Sequence, residues 1–370
     1  MRGVAVLGST GSIGRSTLEV LRRQRDHFRL VALTAGRNRE LLEGQVREWK
    51  PAFAGLVQEN GPNGPARPEV LIEAATRPDV DIVVNAVVGA VGLDATLAAL
   101  RAGKRVALAN KETMVMAGEL VAQAAAAGGG EVVPVDSEHN AVLQCITGQE
   151  QTLCRLILTA SGGPFREWPA DQLQHASVED ALCHPTWKMG DKITVDSATL
   201  VNKALELIEA HYLFGLSYDA LEVVVHPQSI IHAFVEFQDG SVIAQLGFPS
   251  MELPILYALT HPTRLADSGT RRFDPVAAGP LTFEPVRLDA FGAFRAGVAA
   301  GRAGGTAPAV FNAANEVAVE AFLDRRLGFA QIGDLIEHVL EGHRVVPADS
   351  IDAVRSADDW ARARVRELIR

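Results

Sequence analysis

Apolar runs of β type alternate with segments of helical period through the first 135 residues. The runs fall at 4–7, 30–34, 81–85, 105–109 and 131–135, and amphipathic patterns at 13–25, 38–49, 93–102 and 114–127 lie between them. That alternation predicts βαβ units and a parallel sheet. Residues 60–68 (NGPNGPARP) read as a loop by composition. Beyond residue 135 the pattern changes. Residues 156–159 read as a strand, Ser161-Gly162-Gly163-Pro164 as a tight turn, and 171–181 as a helix. Runs at 230–237 and 241–248 flank Asp239-Gly240, a strong hairpin signal. The fold class is therefore α/β, with a parallel-sheet domain at 1–135 and a central α+β domain at 136–260. A Pro- and Gly-punctuated linker is expected at 261–285, and Ala-rich patterns predict a C-terminal helical bundle at 286–370.

Composition narrows the function. At 370 residues and 48% apolar content the chain can bury two or three cores. A net charge of −10 gives no global attraction to nucleic acid or an anionic membrane, so an anionic ligand needs a local cationic cluster. Cys145, Cys154 and Cys183 fit neither a disulfide framework nor a zinc pattern and point to a reducing compartment. No apolar run is long enough to span a membrane, and strand-like sequence begins at Val4, leaving no room for a leader. A cytoplasmic protein is expected, although an organellar form with its leader removed would look the same.

Candidate chemistry starts at Gly8-Ser9-Thr10-Gly11-Ser12-Ile13-Gly14, between the first strand and the first helix. Glycines there allow a tight turn and close approach of a pyrophosphate to a helix N-terminus, as in a Rossmann-like fold. The spacing GxxGxxG also fits a purely structural turn. The second strand ends Thr34-Ala35-Gly36-Arg37-Asn38, without the acidic residue that accepts a ribose 2′-hydroxyl. Arg37 with Asn38 suits a 2′-phosphate and favours NADPH, unless Arg37 is only a solvated charge. Asn110-Lys111-Glu112 follows the fourth run, at the carboxyl edge where such sheets bind ligands; an ordinary helix entry with Asn110 as cap reads equally well.

Asp136 and Glu138 flank Ser137 after the fifth run, and in extended backbone side chains at i and i+2 point the same way. Two such carboxylates repel unless a cation or proton sits between them, or else they form an exposed loop. With Glu206 they offer three oxygen ligands, a set suited to Mg²⁺ or Mn²⁺. If Asp196 or Ser197 caps a helix, Thr199, Asn202, Lys203 and Glu206 fall within about 100° of arc. That stripe can grip a phosphate beside a metal, or be the wet face of an amphipathic helix. Ser161 and the Gly162-Gly163 amides offer a further anion contact. His184 is either a donor to substrate or a structural histidine. Trp187 and Met189, between Pro185 and Gly190, read as an apolar lid or as core packing. His226, His232 and the run Asn312-Ala313-Ala314-Asn315-Glu316 read as structural.

Taken in order, GSTGSIG at 8–14, ANKE at 109–112, DSEH at 136–139, SGGPF at 161–165, HP.W.MG at 184–190, DSAT..NK..E at 196–206 and HPQSIIH at 226–232 span the chain. Together they closely resemble the 1-deoxy-D-xylulose 5-phosphate reductoisomerase family of the non-mevalonate isoprenoid pathway. The resemblance implies an NADPH- and divalent-metal-dependent homodimer making 2-C-methyl-D-erythritol 4-phosphate by retro-aldol cleavage, re-aldolisation and hydride reduction. It implies NADPH contacts from Thr10, Gly11, Ser12, Ile13, Gly36, Arg37, Asn38, Asn110, Glu112 and Gly190. The Mg²⁺ or Mn²⁺ ligands would be Asp136, Glu138 and Glu206. The phosphorylated sugar would meet Lys111, Ser137, Glu138, Ser161, His184, Ser197, Asn202, Lys203 and Glu206, under a lid carrying Trp187 and Met189. Lys111 and Glu138 are the expected catalytic pair. Two departures from the family pattern touch that lid: Lys188 between Trp187 and Met189, and Cys183 before His184. Rival readings are another NADPH-linked dehydrogenase, which needs no triple carboxylate with a phosphate pocket, and a non-catalytic NADPH sensor.

Overall fold

All five runs expected in the first domain become strands of one sheet. The structure is a computed structural model that describes residues 1–58 and 66–369; most of the loop expected at 60–68 lies outside the described residues. The first part of the chain runs β1 (Arg2–Leu7), α1 (Ser12–Arg23), β2 (Phe28–Ala35), α2 (Arg39–Trp49), β3 (Phe53–Leu56), α3 (Glu69–Thr76), β4 (Ile82–Asn85), α4 (Leu93–Arg101), β5 (Arg105–Leu108), α5 (Lys111–Gly128), β6 (Glu131–Pro134) and α6 (Ser137–Ile146). Then come β7 (Leu153–Ala160), α7 (Val178–Leu182), α8 (Asp191–Ala198), α9 (Val201–Phe214), β8 (Leu221–Val225), β9 (Ile231–Phe237), β10 (Val242–Leu246), α10 (Glu252–Thr260), α11 (Pro275–Ala278) and β11 (Glu284–Pro285). Four helices close the chain: α12 (Gly292–Ala303), α13 (Ala307–Leu323), α14 (Phe329–Glu341) and α15 (Ile351–Leu368).

The chain forms two compact units. One comprises Met1–Thr113, Leu120–Leu143 and Ser250–Arg272; the other comprises Met114–Glu119, Gln144–Pro249 and Phe273–Arg370. In the first unit six parallel strands take the order β3-β2-β1-β4-β5-β6. Strand order reverses beside β1, so β1 and β4 open a crevice at their carboxyl ends, where such sheets bind ligands. Val4, Val6, Leu33, Ile82 and Val84 form the centre of the core. Ile255, Leu256, Ala258 and Leu259 of α10 join that same core, although the sequence places α10 in the middle domain. The expected linker is also structured at its start. Asp267 receives two bonds from Arg23 of α1, at 2.6 and 2.8 Å, so Pro/Gly composition breaks regular structure there without freeing the chain.

In the second unit the sheet order is β10-β9-β7-β8-β11. β9 and β10 form the antiparallel hairpin expected around Asp239-Gly240. The end of the supposed linker supplies β11, paired with β8. α13 is buried along most of its length and packs against α12, α14 and α15 as the expected helical bundle. The helix expected at 171–181 is divided. A 3₁₀ segment at Ala170–His175 precedes α7, because Ser177 starts a new helix with a reciprocal capping box to Asp180.

Candidate active site

The glycine turn sits at the reversal point of the first sheet. Gly8 has φ +83°, and a Cβ there would lie 2.7 Å from the Ala86 carbonyl oxygen beyond β4. A Cβ on Gly14 would lie 2.3 Å from Gly8 O, so only glycine lets α1 close onto the turn. Gly11 occupies the N-cap of α1 in extended backbone, and no side chain caps that end. The helix start therefore presents amides to an anion. Ser12 is exposed beside it, and Thr10 and Ile13 are half-buried. Ser9 and Gln45 brace the turn from behind, Ser9 Oγ donating to Gln45 Oε1 at 2.7 Å and Gln45 Nε2 donating to Ser9 O at 2.9 Å. Sequence reasoning missed Gln45, since nothing local marks a buried glutamine on α2.

Gly36, Arg37 and Asn38 are exposed at the end of β2. Arg37 Nε donates to Gln58 Oε1 at 2.6 Å, while Asn38 Oδ1 caps α2 by accepting from Leu41 N at 3.0 Å. Asn110 stands at the N-cap of α5, but its side chain does not cap it. Its Nδ2 instead donates to Val87 O, Gly89 O and Glu112 Oε2, at 3.1, 2.9 and 2.9 Å. Asn110 thus shapes the loop after β4, and Glu112 is tied to it.

The extended geometry expected for Asp136 and Glu138 is not found. Ser137 begins α6, and Asn140 N donates to Asp136 O at 2.8 Å as its first helical bond. A serine flanked by carboxylates is favourable at the positive end of a helix, which outweighs strand continuation here. The helix start, not strand alternation, brings the two carboxylates together: Asp136 precedes α6 and Glu138 stands in its first turn, with one oxygen of each within 4.8 Å of the other. Asp136 is also in an ion pair with Lys111 Nζ at 2.5 Å, both side chains largely buried. Ser137 Oγ donates to Glu138 Oε2.

The second unit gathers the SGG turn, His184 and Ser197. Ser161 Oγ lies 3.0 Å from His184 Nε2, and Ser197 Oγ lies 3.1 Å from the same nitrogen. His184 Nδ1 accepts from Thr186 N and Trp187 N, at 3.1 and 2.9 Å. Two N–H donors at Nδ1 leave the proton on Nε2, facing both hydroxyls. Burial also holds the imidazole below its ordinary pKa, so this neutral tautomer prevails. Gly162 and Gly163 have φ of +86° and +66°. A Cβ on Gly163 would lie 2.7 Å from Ser197 O, so the SGG turn and the end of α8 approach backbone to backbone. Phe165, fully buried, fixes the turn by edge-on contact with Phe329 of α14 at 4.6 Å.

The stripe that includes Ser197 lies on two helices, not one. Asp196 and Ser197 belong to the last turn of α8; the chain breaks at Leu200, a buried residue with φ +59°, and α9 starts at Val201. Thr199 drops out of the stripe because its hydroxyl donates back to Val195 O at 3.1 Å and ends α8. Asn202, Lys203 and Glu206 remain together. Glu206 accepts from Asn202 Nδ2 at 2.5 Å and from Lys203 Nζ. Glu206 is 0% and Lys203 3% exposed, which rules out a solvated helix face.

Thr186–Gly190 has no regular structure ahead of α8, whose N-cap is Gly190. Trp187 and Met189 are half-buried, with Lys188 exposed between them. Trp187 leans toward His232, their ring centroids 6.4 Å apart. His226 is structural as expected, with Nδ1 donating to Thr282 O at 2.9 Å and Nε2 accepting from Ile230 N at 3.1 Å.

The donor sets suit the groups that the sequence implies. A glycine cradle that a Cβ would fill faces an uncapped helix start, as a pyrophosphate requires. The carboxylates Asp136, Glu138 and Glu206 are all hard oxygen donors, as Mg²⁺ or Mn²⁺ requires. A reversed parallel sheet with that turn, continued by a second unit carrying its own polar cluster, defines a dinucleotide-dependent oxidoreductase. Three family models cover most of the chain: 1-deoxy-D-xylulose 5-phosphate reductoisomerase at 4–118, its C-terminal domain at 132–214, and the DXP reductoisomerase C-terminal domain at 246–364. The 1-deoxy-D-xylulose 5-phosphate reductoisomerases of Bacillus cereus (strain Q1) and Heliobacterium modesticaldum are each 48% identical to it, over 100% of this chain and 100% and 98% of theirs. A crystal structure of DOX-P reductoisomerase in complex with NADPH, fosmidomycin and magnesium matches with TM-score 0.94 and 38% identity, covering 100% of this chain and 98% of that one. The Zymomonas mobilis enzyme in complex with NADPH matches with TM-score 0.90 and 39% identity, covering 100% and 99%. The chain belongs to the 1-deoxy-D-xylulose 5-phosphate reductoisomerase family.

Proposed function

We propose that this chain is an NADPH- and divalent-metal-dependent enzyme that converts 1-deoxy-D-xylulose 5-phosphate into 2-C-methyl-D-erythritol 4-phosphate. The observation that carries the reading is the convergence of Ser161 Oγ and Ser197 Oγ on His184 Nε2, within 3.1 Å, beside backbone amides of a two-glycine turn. Three donors in one place, on a turn whose Gly163 amide donates to Ser161 Oγ at 3.2 Å, suit a phosphate monoester.

In this reading NADPH lies along Thr10, Gly11, Ser12 and Ile13, with Gly36, Arg37 and Asn38 at the 2′-phosphate. Asn110, Glu112 and Gly190 border it. Asp136, Glu138 and Glu206 hold the divalent ion. Ser161, His184, Ser197, Asn202 and Lys203 grip the substrate phosphate end, and Lys111, Ser137, Glu138 and Glu206 meet its reacting end. When bound, the ion polarises the substrate carbonyl and its neighbouring hydroxyl oxygen, and NADPH supplies hydride. Lys111 donates to a substrate hydroxyl, and Glu138 takes and returns the proton that moves as the C–C bond rearranges. Phosphate binding supplies remote energy that orients the sugar. Trp187 and Met189 close over it and exclude water.

The charges of the site are paired now, Lys111 with Asp136 and Lys203 with Glu206. With an ion and a phosphate bound, Lys203 would face the phosphate and Glu206 the ion, so neither of these buried charges would be left alone. A homodimer forms along the β9–β10 hairpin, where Val242 and Ile243 are 52% and 41% exposed. Its place is the cytoplasm, in keeping with three cysteines that form no disulfide. The deciding assay is NADPH consumption with 1-deoxy-D-xylulose 5-phosphate, with and without Mg²⁺ or Mn²⁺. Metal-dependent consumption is expected; its absence overturns the reading.

A further inference from the structure

We propose that Asn315, on α13 of the helical bundle, is a positioning residue for the phosphate grip, acting through Asp196; this rests on the function proposed above. Asp196 is a carboxylate only 1% exposed on an eight-residue helix. A buried carboxylate is unfavourable without partners, so its partners define how the helix is held. Among the described residues there are two of them. Lys192, one turn earlier on α8, places Nζ 2.8 Å from one carboxylate oxygen, and Asn315 Nδ2 donates to the other at 2.7 Å.

Lys192 cannot hold α8 in place, because it moves with the helix. Asn315 can, because it belongs to a different helix and is 0% exposed. Its amide is also turned in a costly way: Oδ1 has no hydrogen-bond partner. Leaving a buried acceptor unsatisfied is unfavourable. Only the NH₂ end of an amide can serve a carboxylate, so Asp196 dictates the orientation.

The residue after Asp196 is Ser197. Its hydroxyl faces His184 Nε2 at 3.1 Å, and its carbonyl backs the Gly163 turn. Successive side chains on a helix diverge by about 100°. Holding Asp196 against α13 therefore sets the direction in which Ser197 points. The ends of α8 add little restraint of their own: Gly190 gives no side-chain cap, and Leu200 breaks the helix in the left-handed region. The same bond thereby sets where α9 begins, with Asn202, Lys203 and Glu206 on its first turns.

Asn315→Leu removes the donor at similar volume. In the intact enzyme, KM for 1-deoxy-D-xylulose 5-phosphate should rise about tenfold, about 1.4 kcal/mol. KM for NADPH should stay within about twofold, a split that general loosening of the fold does not produce. The exchange D196N/N315D re-forms the bond with its polarity reversed and should restore most of the substrate affinity. An unchanged substrate KM, an equal rise in both KM values, or no recovery in the exchange variant overturns the pin. If Asn315→Leu does not fold, Asn315→Ser, small and polar, goes through the same measurements. The unaltered enzyme runs alongside: substrate turnover there upholds the functional reading, so a failure of the variants then falls on the pin alone.

Discussion

Glu206, proposed as a ligand of the divalent ion, carries no exposed surface and is bound by Asn202 and Lys203. Glu206→Gln keeps the shape but not the charge. Affinity for Mg²⁺ or Mn²⁺ should fall by roughly 10–100-fold, with turnover falling alongside and NADPH binding nearly intact. Metal titration of activity, paired with a direct Mn²⁺ binding measurement, checks this; equal activity at limiting metal removes Glu206 from the ligand set. Arg37 is the residue proposed to meet the 2′-phosphate. Arg37→Asp should lower the NADPH-over-NADH ratio of kcat/KM by about 10–100-fold, the scale of lost charge-assisted hydrogen bonds. An unchanged ratio takes Arg37 out of the 2′-phosphate site. Residue types at both positions were legible in the sequence. The burial that separates Glu206 from a solvated face was not, because helical period alone does not say which side of α9 meets water.

At the scale of elements, the segment 184–187 depends on a neutral imidazole. Protonating His184 places a proton on Nδ1 against two N–H groups and removes the acceptor that holds Thr186 and Trp187. Burial lowers the pKa of His184 in the folded protein below the ordinary 6.5. A depressed value means that the folded state binds fewer protons than the unfolded one. The contribution to stability is thus complete above about pH 6.5 and is lost as pH falls through the folded pKa. With Trp49, Trp168 and Trp360 replaced by Phe, Trp187 fluorescence should titrate with a midpoint below 6.5, and His184→Asn should abolish that titration. A flat response over the acid range counts against His184 Nδ1 holding Thr186 and Trp187. Gly163→Ala tests the neighbouring turn. A Cβ at φ +66° and 2.7 Å from Ser197 O should cost about 1–3 kcal/mol and show as a lowered Tm with weaker substrate binding. The turn itself was readable from Ser161-Gly162-Gly163-Pro164, but its contact with α8 joins residues distant in the chain.

For the whole molecule, the association proposed along β10 has a direct test. Val242→Glu with Ile243→Lys places charge on an exposed apolar edge without touching the site. It should shift the sedimentation profile toward monomer while leaving the Tm within a few degrees. An unchanged dimer moves the interface elsewhere, and a parent that is already monomeric removes the dimer. The alternation of strand and helix made the first sheet legible, since parallel strands buried on both faces need continuous apolar runs. Short or interrupted elements escaped notice. β3 is only FAGL, and α10 carries Pro254 yet packs its apolar side into the first core.

The sequence by itself determined the parallel sheet, the glycine turn, the hairpin and the residue types of a phosphate, metal and dinucleotide chemistry. Each is a local matter of periodicity, backbone freedom or side-chain charge. Only the tertiary structure decided how those residues are held. It placed Ser137 in a helix rather than a strand, and it broke the Asp196–Glu206 stretch at Leu200. It also paired Lys203 with Glu206 out of water and set Asn315 against Asp196. Such outcomes depend on packing and on the cost of burying unpaired charge, which are set by neighbours far away in the chain.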